Sequence, residues 1–482
     1  MREVKREEGM QAERAVSAPA TAFTSDVLKV HVVGLAGTGL RGLVHLLVER
    51  GLEVSGSEML DSPALESFRS RGIDCRVGHS SGNVGEKTNL VLISAAVSPS
   101  NPEVQAAVKR CIPVVKYSEC LGRLMAEKDG IAVAGTHGKT TTTAMVSFIL
   151  KEAGLDPTFV IGGEYPGLGG SSGSGKGSYF VAEACEFDRS FLKLAPRMAI
   201  VTNIEEDHLD YFESLKEIKS AFADFVSLLP EDGYLVVNRD DPNSAYLSEF
   251  CRSAVGSFSL RPRMAEWWAD EIDASGSGTT FLLSSASERA RVRLAVPGVH
   301  NVMNALAATA VTRRAGVPLV RIADALERFT GVRRRFEALS RSGIVVIDDY
   351  AHHPTEIFTV LRAARQNLPG RKLIAVFQPH QHSRLKMFQE RFAEALAGFD
   401  AVLVSDVFRA RDKEEDVRTV RSDSLIQSLR TTYPKVNALH TPGFDDVLAA
   451  LREIASNGDA VIFMGAGNIT DLAKNYARSV SC

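Results

Sequence analysis

The sequence predicts an α/β protein made of three units, each built around a mainly parallel sheet. Apolar runs of strand length alternate with helical patterns along most of the chain. At 482 residues the chain is too long for a single hydrophobic core, so two to four domains are expected. A glycine-rich loop of phosphate-binding type, between a strand and a helix, identifies the central unit.

The first 26 residues are charged and then rich in small residues, without the apolar centre of a secretory signal. They are predicted to form a disordered leader. No apolar stretch approaches the roughly 20 residues of a membrane helix, and the six cysteines show no paired spacing such as C-x-x-C. These features predict a cytoplasmic protein without a membrane partner.

The overall charge gives no reason to expect a nucleic-acid partner. Lysine and arginine number 56 against 59 acidic residues, a formal net charge of -3. A hydrophobic fraction of 45% with 24% charged residues is ordinary for a globular protein.

Residues 27–118 form the first predicted unit. A strand, a turn with Gly34, Gly37 and Gly39, and a helix are followed by a second strand that ends in Glu58. This order is typical of dinucleotide-binding folds, in which the acidic residue contacts a ribose. The turn reads G-x-x-G-x-G instead of G-x-G-x-x-G, so the pattern indicates a phosphorylated ligand only weakly.

Residues 119–332 form the second predicted unit and contain the phosphate loop. The strand from Ile131 to Ala134 breaks into GTHGKT and resumes as a helix. Glycines let backbone N–H groups approach an anion, Lys139 can reach the outer phosphates, and the Thr140 hydroxyl can bind Mg2+. The common form of this motif has a glycine six residues before the lysine, where this chain has Val133.

Two further strands of this unit end in possible metal ligands. Glu183 ends the run YFVAE, and His208 follows the run MAIVTNI. Because ligands of an open parallel sheet bind beyond the carboxyl ends of its strands, both should approach the phosphate loop. With Thr140 they would suit Mg2+ bridged to phosphate oxygens. Considered alone, Glu183 could be a solvated carboxylate and His208 an ordinary loop histidine.

Two other segments of the second unit are less specific. The glycine- and serine-rich segment GEYPGLGGSSGSGKGS is predicted to be a mobile surface loop. A later helix carries His300, Asn301 and Asn304 in its first turn, where asparagine usually caps a helix but could also face an adenine edge.

Residues 333–482 form the third predicted unit. It begins at an arginine cluster, Arg333 to Arg335, and its strands end in polar groups. Asp349 and Tyr350 follow one strand, and His380, His382 and Arg384 follow the next. Arginine clusters are usually solvated surface, but polar groups after successive strands indicate a site.

Ten segments, in order over nearly the whole chain, resemble the Mur ligase family. They are GLAGTGLRGL, LEVSGSE, LISAAVSPSNPEV, AGTHGKTTTTAM, VAEACEFDRSFL, VTNIEEDHLDYF, GVHNVMNALAA, GVRRRFE, DDYAHHPTEI and FQPHQHSR. The resemblance implies a Rossmann-like N-terminal domain for a UDP-sugar, a central P-loop ATPase domain and a Rossmann-like C-terminal domain. This agrees with the three α/β units.

The resemblance also implies an activity: ATP-dependent formation of an amide bond between L-alanine and the lactyl carboxylate of UDP-N-acetylmuramate, through an acyl phosphate, in peptidoglycan precursor synthesis. ATP and Mg2+ are the implied cofactors, and a monomer or weak homodimer is expected.

The resemblance assigns roles to residues at matching positions. It implies that the catalytic residues are Lys139, Glu183, His208 and Arg335, and that the metal ligands are Thr140, Glu183 and His208. It implies that ATP is bound by Gly135, Thr136, His137, Gly138, Lys139, Thr140, Thr141, His300, Asn301, Asn304 and Asp349. It implies that the UDP-sugar is bound by Gly37, Thr38, Glu58, His79 and Ser94, and alanine by Tyr350, His352 and Arg384.

Three alternatives compete with this interpretation. A sister enzyme would join a ready-made murein peptide to the same sugar, but the segments HHPTEI and QPHQHSR favour free alanine. A non-catalytic nucleotide-binding scaffold would not need Lys139, Glu183, His208, Arg335 and Asp349. A dehydrogenase would need a standard dinucleotide fingerprint, which the sequence lacks.

Overall fold

The computed structural model describes residues 29–480 except 95, 277 and 411. The predicted leader, residues 1–26, lies outside the described residues. Three separate sheets, of five, ten and six strands, follow one another along the chain. They confirm the three-part α/β class that the alternating pattern predicted. Within the described part of the chain, every helix is too short or too polar to span a bilayer.

The first sheet is entirely parallel, in the order β3-β2-β1-β4-β5. Its strands are β1 (Lys29–Val33), β2 (Glu53–Glu58), β3 (Asp74–Val77), β4 (Leu90–Ile93) and β5 (Val114–Lys116). The helices of this part are α1 (Thr38–Glu49), α2 (Pro63–Arg69), α3 (Pro102–Lys109) and α4 (Tyr117–Ala126), with a 3-10 turn at Ser81–Asn83. Strand β4 is buried along its whole length, as expected of a parallel strand covered on both faces.

The second sheet has the order β15-β14-β13-β12-β11-β10-β6-β9-β7-β8. Its strands are β6 (Asp129–Ala134), β7 (Thr158–Tyr165), β8 (Gly170–Gly173), β9 (Tyr179–Glu183), β10 (Met198–Val201), β11 (Tyr234–Asn238), β12 (Ala254–Ser259), β13 (Trp267–Asp273), β14 (Thr279–Ser284) and β15 (Arg289–Leu294). The helices are α5 (Lys139–Glu152), α6 (Leu215–Val226), α7 (Pro242–Tyr246), α8 (Val299–Arg314) and α9 (Leu319–Arg328). The 3-10 turns are Pro166–Leu168, Phe187–Lys193 and Leu247–Glu249. The centre of the sheet is parallel, whereas β8, β14 and β15 add antiparallel edges.

The third sheet has the order β16-β17-β21-β18-β19-β20, with only β16 antiparallel. Its strands are β16 (Glu337–Ser340), β17 (Val345–Asp349), β18 (Leu373–Phe377), β19 (Ala401–Val404), β20 (Asn437–His440) and β21 (Ala460–Met464). The helices are α10 (Pro354–Asn367), α11 (His382–Leu396), α12 (Glu414–Thr419), α13 (Ser422–Thr432), α14 (Phe444–Ile454) and α15 (Ile469–Val480).

The glycine- and serine-rich segment differs from its prediction as a mobile loop. Residues Gly170–Gly173 form strand β8, which pairs antiparallel with β7 at the sheet edge. After β8, the Lys128 ammonium donates to the carbonyl oxygens of Gly175 at 2.6 Å and Gly177 at 2.8 Å. A distant lysine therefore orders a segment whose own composition favours flexibility.

Candidate active site

The phosphate loop joins strand β6 to helix α5. Gly135 and Gly138 have φ angles of +132° and +83°, which residues with a Cβ atom rarely adopt. A Cβ at Gly135 would collide with the Thr202 hydroxyl, and one at Gly138 would lie 2.6 Å from Asn304 Oδ1. The loop therefore needs both glycines, for conformation and for space.

The loop is also held from the neighbouring strand β10. Asn203 Oδ1 accepts from the His137 N–H at 2.9 Å, and the Thr202 hydroxyl donates to the His137 carbonyl at 2.6 Å. The Glu205 N–H donates to the Thr136 hydroxyl at 2.9 Å. The loop is thus fixed before any anion binds.

Lys139 points back over the loop. Its ammonium donates to the carbonyls of Gly135 at 2.6 Å and Thr136 at 3.0 Å, and pairs with a Glu186 carboxylate oxygen at 3.1 Å. Burial would lower the pKa of Lys139, but the nearby charge of Glu186 outweighs it and raises the pKa. Lys139 is therefore a fixed cation beside the helix terminus. Glu186 is a partner that the sequence analysis missed, three residues after Glu183.

The predicted metal ligands follow three adjacent strands of this sheet: Thr140 lies in α5 after β6, Glu183 ends β9, and His208 lies in the segment after β10. Glu183 closes β9 and accepts from the Gly162 N–H at 2.6 Å. His208 has a φ of +51°, and its Nε2 lies 3.9 Å from Glu186 Oε1. Its Nδ1 is buried without a hydrogen-bond partner among the described residues. Burial lowers the pKa of His208, which favours the neutral imidazole that a metal needs. A hydroxyl, a carboxylate and this unpartnered nitrogen are ligand types that divalent cations take.

A cavity of about 500 Å³ extends from the phosphate loop. It is lined by residues of the second and third units, among them Gly138, Thr140, Thr141, His300, Asn301, Asn304, Arg335 and Asp349. Such a volume suits a small-molecule ligand. With His137, nine of the residues predicted for ATP or for catalysis therefore meet at one cavity.

The two asparagines of α8 have internal partners as well. Asn304 Oδ1 accepts from the Thr142 hydroxyl at 3.2 Å, and Asn304 Nδ2 donates to Asn301 Oδ1 at 3.1 Å. Asn301 Nδ2 donates to the Pro297 carbonyl at 2.7 Å. Burial lowers the pKa of His300 to about 4, so its ring is neutral. Asn301 and Asn304 thus fix α8 against α5, the helix that follows the phosphate loop. Both asparagines also line the cavity.

The sequence analysis missed one wall of the cavity. Strand β11 ends in Asn238, and Asp240, Asp241 and Asn243 follow it along the lining. Asn238 Nδ2 donates to the Thr202 carbonyl at 2.8 Å, which ties this wall to the strand beside the phosphate loop. The strand-end rule that selected Glu183 and His208 applies equally to YLVVN followed by RDDPN.

The three arginines at the start of the third unit point to different partners. Arg333 pairs with Glu337, and Arg334 Nη2 donates to the Gly465 carbonyl at 2.6 Å. Arg335 lines the cavity, and its Nη2 lies 3.4 Å from the Thr140 hydroxyl. Among the three, Arg335 is therefore the arginine that faces the phosphate-loop end of the cavity.

Asp349 ends β17 with its carboxylate held by backbone donors. Phe336 N–H donates to Oδ2 and Ala351 N–H to Oδ1, both at 2.7 Å. Burial raises the pKa of Asp349 to about 6, against the lowering effect of Arg335 and these bonds. The carboxylate lines the cavity, where it can accept from a hydroxyl.

The residues predicted for alanine form one cluster. The rings of Tyr350 and His352 lie 5.3 Å apart, those of His352 and His380 lie 5.9 Å apart, and Arg384 Nη1 is 3.4 Å from His380 Nδ1. Arg384 Nη2 also donates to Asp207 Oδ1 at 2.9 Å, across the boundary between the second and third sheets. This buried ion pair was not predicted.

Gln381, to which the sequence analysis assigned no role, directly follows His380 of this cluster. Its backbone φ is +68°, and the residue is 1% exposed. The side-chain amide nitrogen, Nε2, has no hydrogen-bond partner among the described residues. Gln381 directly precedes α11, on which Arg384 lies.

His137 of the phosphate loop connects the second and third units. Its Nδ1 lies 3.4 Å from Glu356 of the third unit, and its Nε2 lies 3.6 Å from Glu205 of the second. Burial would lower the pKa of His137, but these two carboxylates raise it to about 9. We call His137, Glu205, Glu356 and His353 the clasp, because the Thr355 hydroxyl also donates to Glu205 at 2.8 Å and the His353 ring lies 4.9 Å from that of His137.

Ligand atoms of His137, Glu205 and His353 lie within 4.8 Å of one another, a spacing that could suit a metal. Both ring nitrogens of His353 are already engaged, one with the Glu206 carbonyl at 3.1 Å and one with the Thr355 N–H at 3.3 Å. The clasp is therefore better described as an imidazolium between two carboxylates than as a metal site.

The residues predicted for the UDP-sugar lie at the carboxyl edge of the first sheet. Glu58 ends β2 and accepts from the Ala36 N–H at 3.1 Å, inside the glycine turn that leads to Gly37 and Thr38. Ser94 follows β4, and His79 follows β3. Adjacent parallel strands thus bring these five residues to one edge, as the strand-end rule predicts.

Three family models match the chain. "Mur ligase family, catalytic domain" matches residues 29–129, "Mur ligase middle domain" matches residues 133–312, and "Mur ligase, glutamate ligase domain" matches residues 334–467.

Named relatives match over most of their length. The UDP-N-acetylmuramate--L-alanine ligase of Acetivibrio thermocellus is 39% identical over 454 residues, 93% of this chain and 95% of that protein. The ligase of the same name from Chlorobaculum tepidum is 41% identical over 93% of this chain and 94% of that protein.

Solved structures share the whole architecture. The UDP-N-acetylmuramate-alanine ligase of Thermotoga maritima superposes with a TM-score of 0.80 at 28% identity, over 94% of this chain and 99% of that one. A murein peptide ligase of Psychrobacter arcticus gives a TM-score of 0.71 at 26% identity, over 93% of this chain and 98% of that one.

Proposed function

The chain belongs to the Mur ligase family, and on that basis we propose that it joins L-alanine to UDP-N-acetylmuramate at the expense of ATP. The reaction is a step in the synthesis of peptidoglycan precursors. The observation that carries the proposal is a contact between units: Arg335 of the third unit reaches Thr140 of the phosphate loop across the cavity. Such a contact suits a reaction in which different domains supply the groups that act on the substrates.

The reaction proceeds through an acyl phosphate. A lactyl carboxylate oxygen attacks the γ-phosphorus of ATP, the bond to the β-phosphate oxygen breaks, and ADP leaves. The alanine amine then attacks the activated carbonyl, the tetrahedral intermediate expels phosphate, and the amine loses a proton. A free carboxylate is a poor acyl donor, so the phosphoryl group is what makes amide formation feasible.

Lys139 and Arg335 would supply positive charge during phosphoryl transfer. The reaction brings a carboxylate to a polyphosphate, so its main requirements are positioning and neutralisation of negative charge. The Lys139 ammonium would exchange the loop carbonyls of Gly135 and Thr136 for phosphate oxygens. Arg335 would contact the transferring phosphate from the opposite unit.

Thr140, Glu183 and His208 would hold Mg2+. When bound, the ion would screen phosphate charge beside Lys139. The fit rests on the oxygen donors of Thr140 and Glu183 and on the buried, unpartnered Nδ1 of His208.

The nucleoside of ATP would occupy the rest of the cavity. His300, Asn301 and Asn304 would contact adenine, and Asp349 would accept from a ribose hydroxyl. The wall after β11, with Asn238 and Asp240, would complete this pocket.

Alanine would bind at the cluster of Tyr350, His352 and Arg384. An arginine can pair with a carboxylate in a two-pronged arrangement. Because Arg384 Nη2 bonds Asp207 and Nη1 lies 3.4 Å from His380 Nδ1, the alanine carboxylate would take the place of His380 at Nη1. The ion pair with Asp207 would then orient the guanidinium.

We propose the remaining assignments on the same basis. The UDP-sugar would bind at Gly37, Thr38, Glu58, His79 and Ser94. Residues 27–118, 119–332 and 333–482 would be the UDP-sugar, ATP and C-terminal ligase domains. The protein would act in the cytoplasm as a monomer or weak homodimer.

The decisive experiment measures ADP and phosphate release with UDP-N-acetylmuramate, ATP and Mg2+. Three acceptor conditions are compared: L-alanine, a murein tripeptide and no acceptor. We expect release with L-alanine and a product heavier by one alanyl residue. Release with the tripeptide alone would favour the sister reaction, and no release despite ATP binding would favour a binding scaffold.

A further inference from the structure

Glu103 is a buried carboxylate behind the proposed UDP-sugar site. It lies in the first turn of α3 and is 0% exposed. Its oxygens accept from the Ser57 hydroxyl and Asn83 Nδ2 at 2.6 Å each, from the Ser80 N–H at 3.1 Å and from His31 Nε2 at 3.2 Å. A buried carboxylate is unfavourable unless it is so well bonded, so this arrangement needs an explanation.

The carboxylate is ionised. Burial would raise the pKa of Glu103, but the bonds from His31, Ser57, Asn83 and Ser80 hold it at about 2. An ionised carboxylate only accepts hydrogen bonds. The proton of the Ser57 hydroxyl must therefore lie on the side of Glu103.

This direction fixes the neighbouring histidine. Ser57 Oγ also lies 3.0 Å from His79 Nδ1, and its single proton is already committed to Glu103. Ser57 Oγ must then accept from His79, so His79 carries a proton on Nδ1. In the neutral imidazole, Nε2 is consequently a hydrogen-bond acceptor. His79 Nδ1 also lies 3.5 Å from Glu103 Oε1, which favours the same proton position. No described residue bonds His79 Nε2, and the side chain is 14% exposed.

The position of His79 identifies the part of the nucleotide that it meets. The sheet order β3-β2-β1 places the glycine turn after β1, Glu58 after β2 and His79 after β3. In folds of this type the pyrophosphate lies at the glycine turn and the ribose at the acidic end of β2. A nucleotide running in this direction brings its base to the end of β3.

We infer that Glu103, acting through Ser57, holds His79 in the tautomer whose Nε2 accepts a hydrogen bond from N3–H of uracil. Glu103 is thus a positioning residue for base recognition. The inference rests on the proposed function, which supplies a UDP-linked substrate. It also implies that His79 does not bind the pyrophosphate, because the lone pair on Nε2 would repel an anion.

Uracil and cytosine differ at the atom concerned. N3 of uracil bears a proton, whereas N3 of cytosine is an acceptor that would face the Nε2 lone pair. A site built to accept a substrate hydrogen bond discriminates strongly against an analogue without the donor. The relay from Glu103 to His79 would therefore select uridine over cytidine nucleotides.

The test measures the affinities of UDP, CDP and 2′-deoxy-UDP for the full chain by calorimetry. In Glu103→Gln, we expect the UDP affinity to fall about tenfold or more, with little change for CDP, so that the UDP-to-CDP ratio shrinks. Glu66→Gln is the matched control, since Glu66 is an exposed glutamate in the first turn of α2. It should leave the ratio unchanged.

A second variant and a second readout separate positioning from folding. Ser57→Ala removes the hydroxyl link and leaves Glu103 with its other donors. Because Glu103 Oε1 also lies 3.5 Å from His79 Nδ1, this variant should shrink the ratio, but less than Glu103→Gln does. Nitrogen NMR of histidine-labelled protein, with the His79 signal identified through His79→Gln, should show an Nδ1–H imidazole that changes in Glu103→Gln. The ATP KM should not change, because the proposed ATP cavity is lined by residues of the second and third units and Glu103 lies in the first.

Three outcomes would overturn the inference. The first is an unchanged UDP-to-CDP ratio in both relay variants, and the second is an Nε2–H tautomer of His79 in the unaltered protein. The third is that the relay variants lose their preference for UDP over 2′-deoxy-UDP while keeping their preference for UDP over CDP. The last would mean that the partner is a ribose hydroxyl. Nucleotide binding is measured without turnover, so failure of the ligase reaction would be a separate result.

Discussion

At the scale of single residues, Lys139 is the side chain on which we propose that phosphoryl transfer depends most. Its ammonium lies over the loop with Glu186 as counter-charge. We predict that Lys139→Ala loses about 3 kcal/mol or more of transition-state stabilisation, because a fixed cation beside the transferring phosphate is removed. Steady-state kcat/KM measures the loss. Lys151→Ala, on the exposed end of the same helix, is the control. Near-normal turnover of Lys139→Ala would remove the phosphate loop from the mechanism.

Asp349 provides a prediction about pH. Burial raises its pKa to about 6, so the carboxylate is charged above that pH and protonated below it. A protonated Asp349 is a weaker acceptor for a ribose hydroxyl, so the ATP KM should rise as the pH falls through about 6. Asp349→Asn should have a high ATP KM that lacks this inflection. An identical inflection in Asp349→Asn would assign it to another group.

Arg384 connects alanine binding to the ion pair with Asp207. We predict that Arg384→Ala raises the alanine KM far more than the ATP KM, because the guanidinium is proposed to bind the alanine carboxylate. Initial rates at varied alanine and varied ATP separate the two. Equal increases would instead indicate that Arg384 acts mainly in holding the second and third units together.

At the scale of elements, the contact between the phosphate loop and helix α8 depends on one glycine. Gly138 has a φ of +83°, and a Cβ there would lie 2.6 Å from Asn304 Oδ1. Gly154, at the other end of α5, has a φ of +82° and open space around it. The two positions therefore share the same backbone strain and differ in the contact.

We predict that Gly154→Ala destabilises the protein by about 1 to 2 kcal/mol, the usual effect of a left-handed alanine, without changing the ATP KM. Gly138→Ala should destabilise it further and raise the ATP KM, because α8 must move away from the loop. Thermal unfolding and ATP kinetics measure the two effects. Equal stability and equal ATP KM values for the two variants would show that the Asn304 contact does not affect ATP binding.

At the scale of the whole molecule, the clasp joins the second and third units through the charge of His137. Its pKa is raised to about 9 from an ordinary value of 6.5 by Glu205 and Glu356. A raised pKa stabilises the joined arrangement fully below pH 6.5, and this contribution is lost as the pH rises through about 9. Opening of the two units should therefore become easier at alkaline pH.

We predict that the radius of gyration from X-ray scattering increases as the pH rises through about 9. Glu356→Gln should bring the transition to lower pH, because one of the two carboxylates that hold the proton on His137 is removed. Glu390→Gln, an exposed glutamate of the third unit, serves as control. A radius that is independent of pH in every variant would show that other contacts, such as Arg384 with Asp207, are sufficient.

The sequence by itself determined the α/β class, the phosphate loop and the edge of each sheet where the predicted site residues gather. These features follow from local patterns: strand and helix periodicity, glycines at a turn, and polar groups after apolar runs. Lys139, Glu183, His208 and Asp349 were found in this way, and the resemblance to the Mur ligases assigned their roles.

Only the tertiary structure decided which groups meet across long separations of sequence. It brought Arg335 to Thr140, paired Arg384 with Asp207, placed His137 between carboxylates of two units and ordered the segment around Gly175 through Lys128. The buried network of Glu103 is of the same kind. Each depends on packing of elements far apart in the chain, where burial and neighbouring charge set geometry and ionisation, and no local pattern records either.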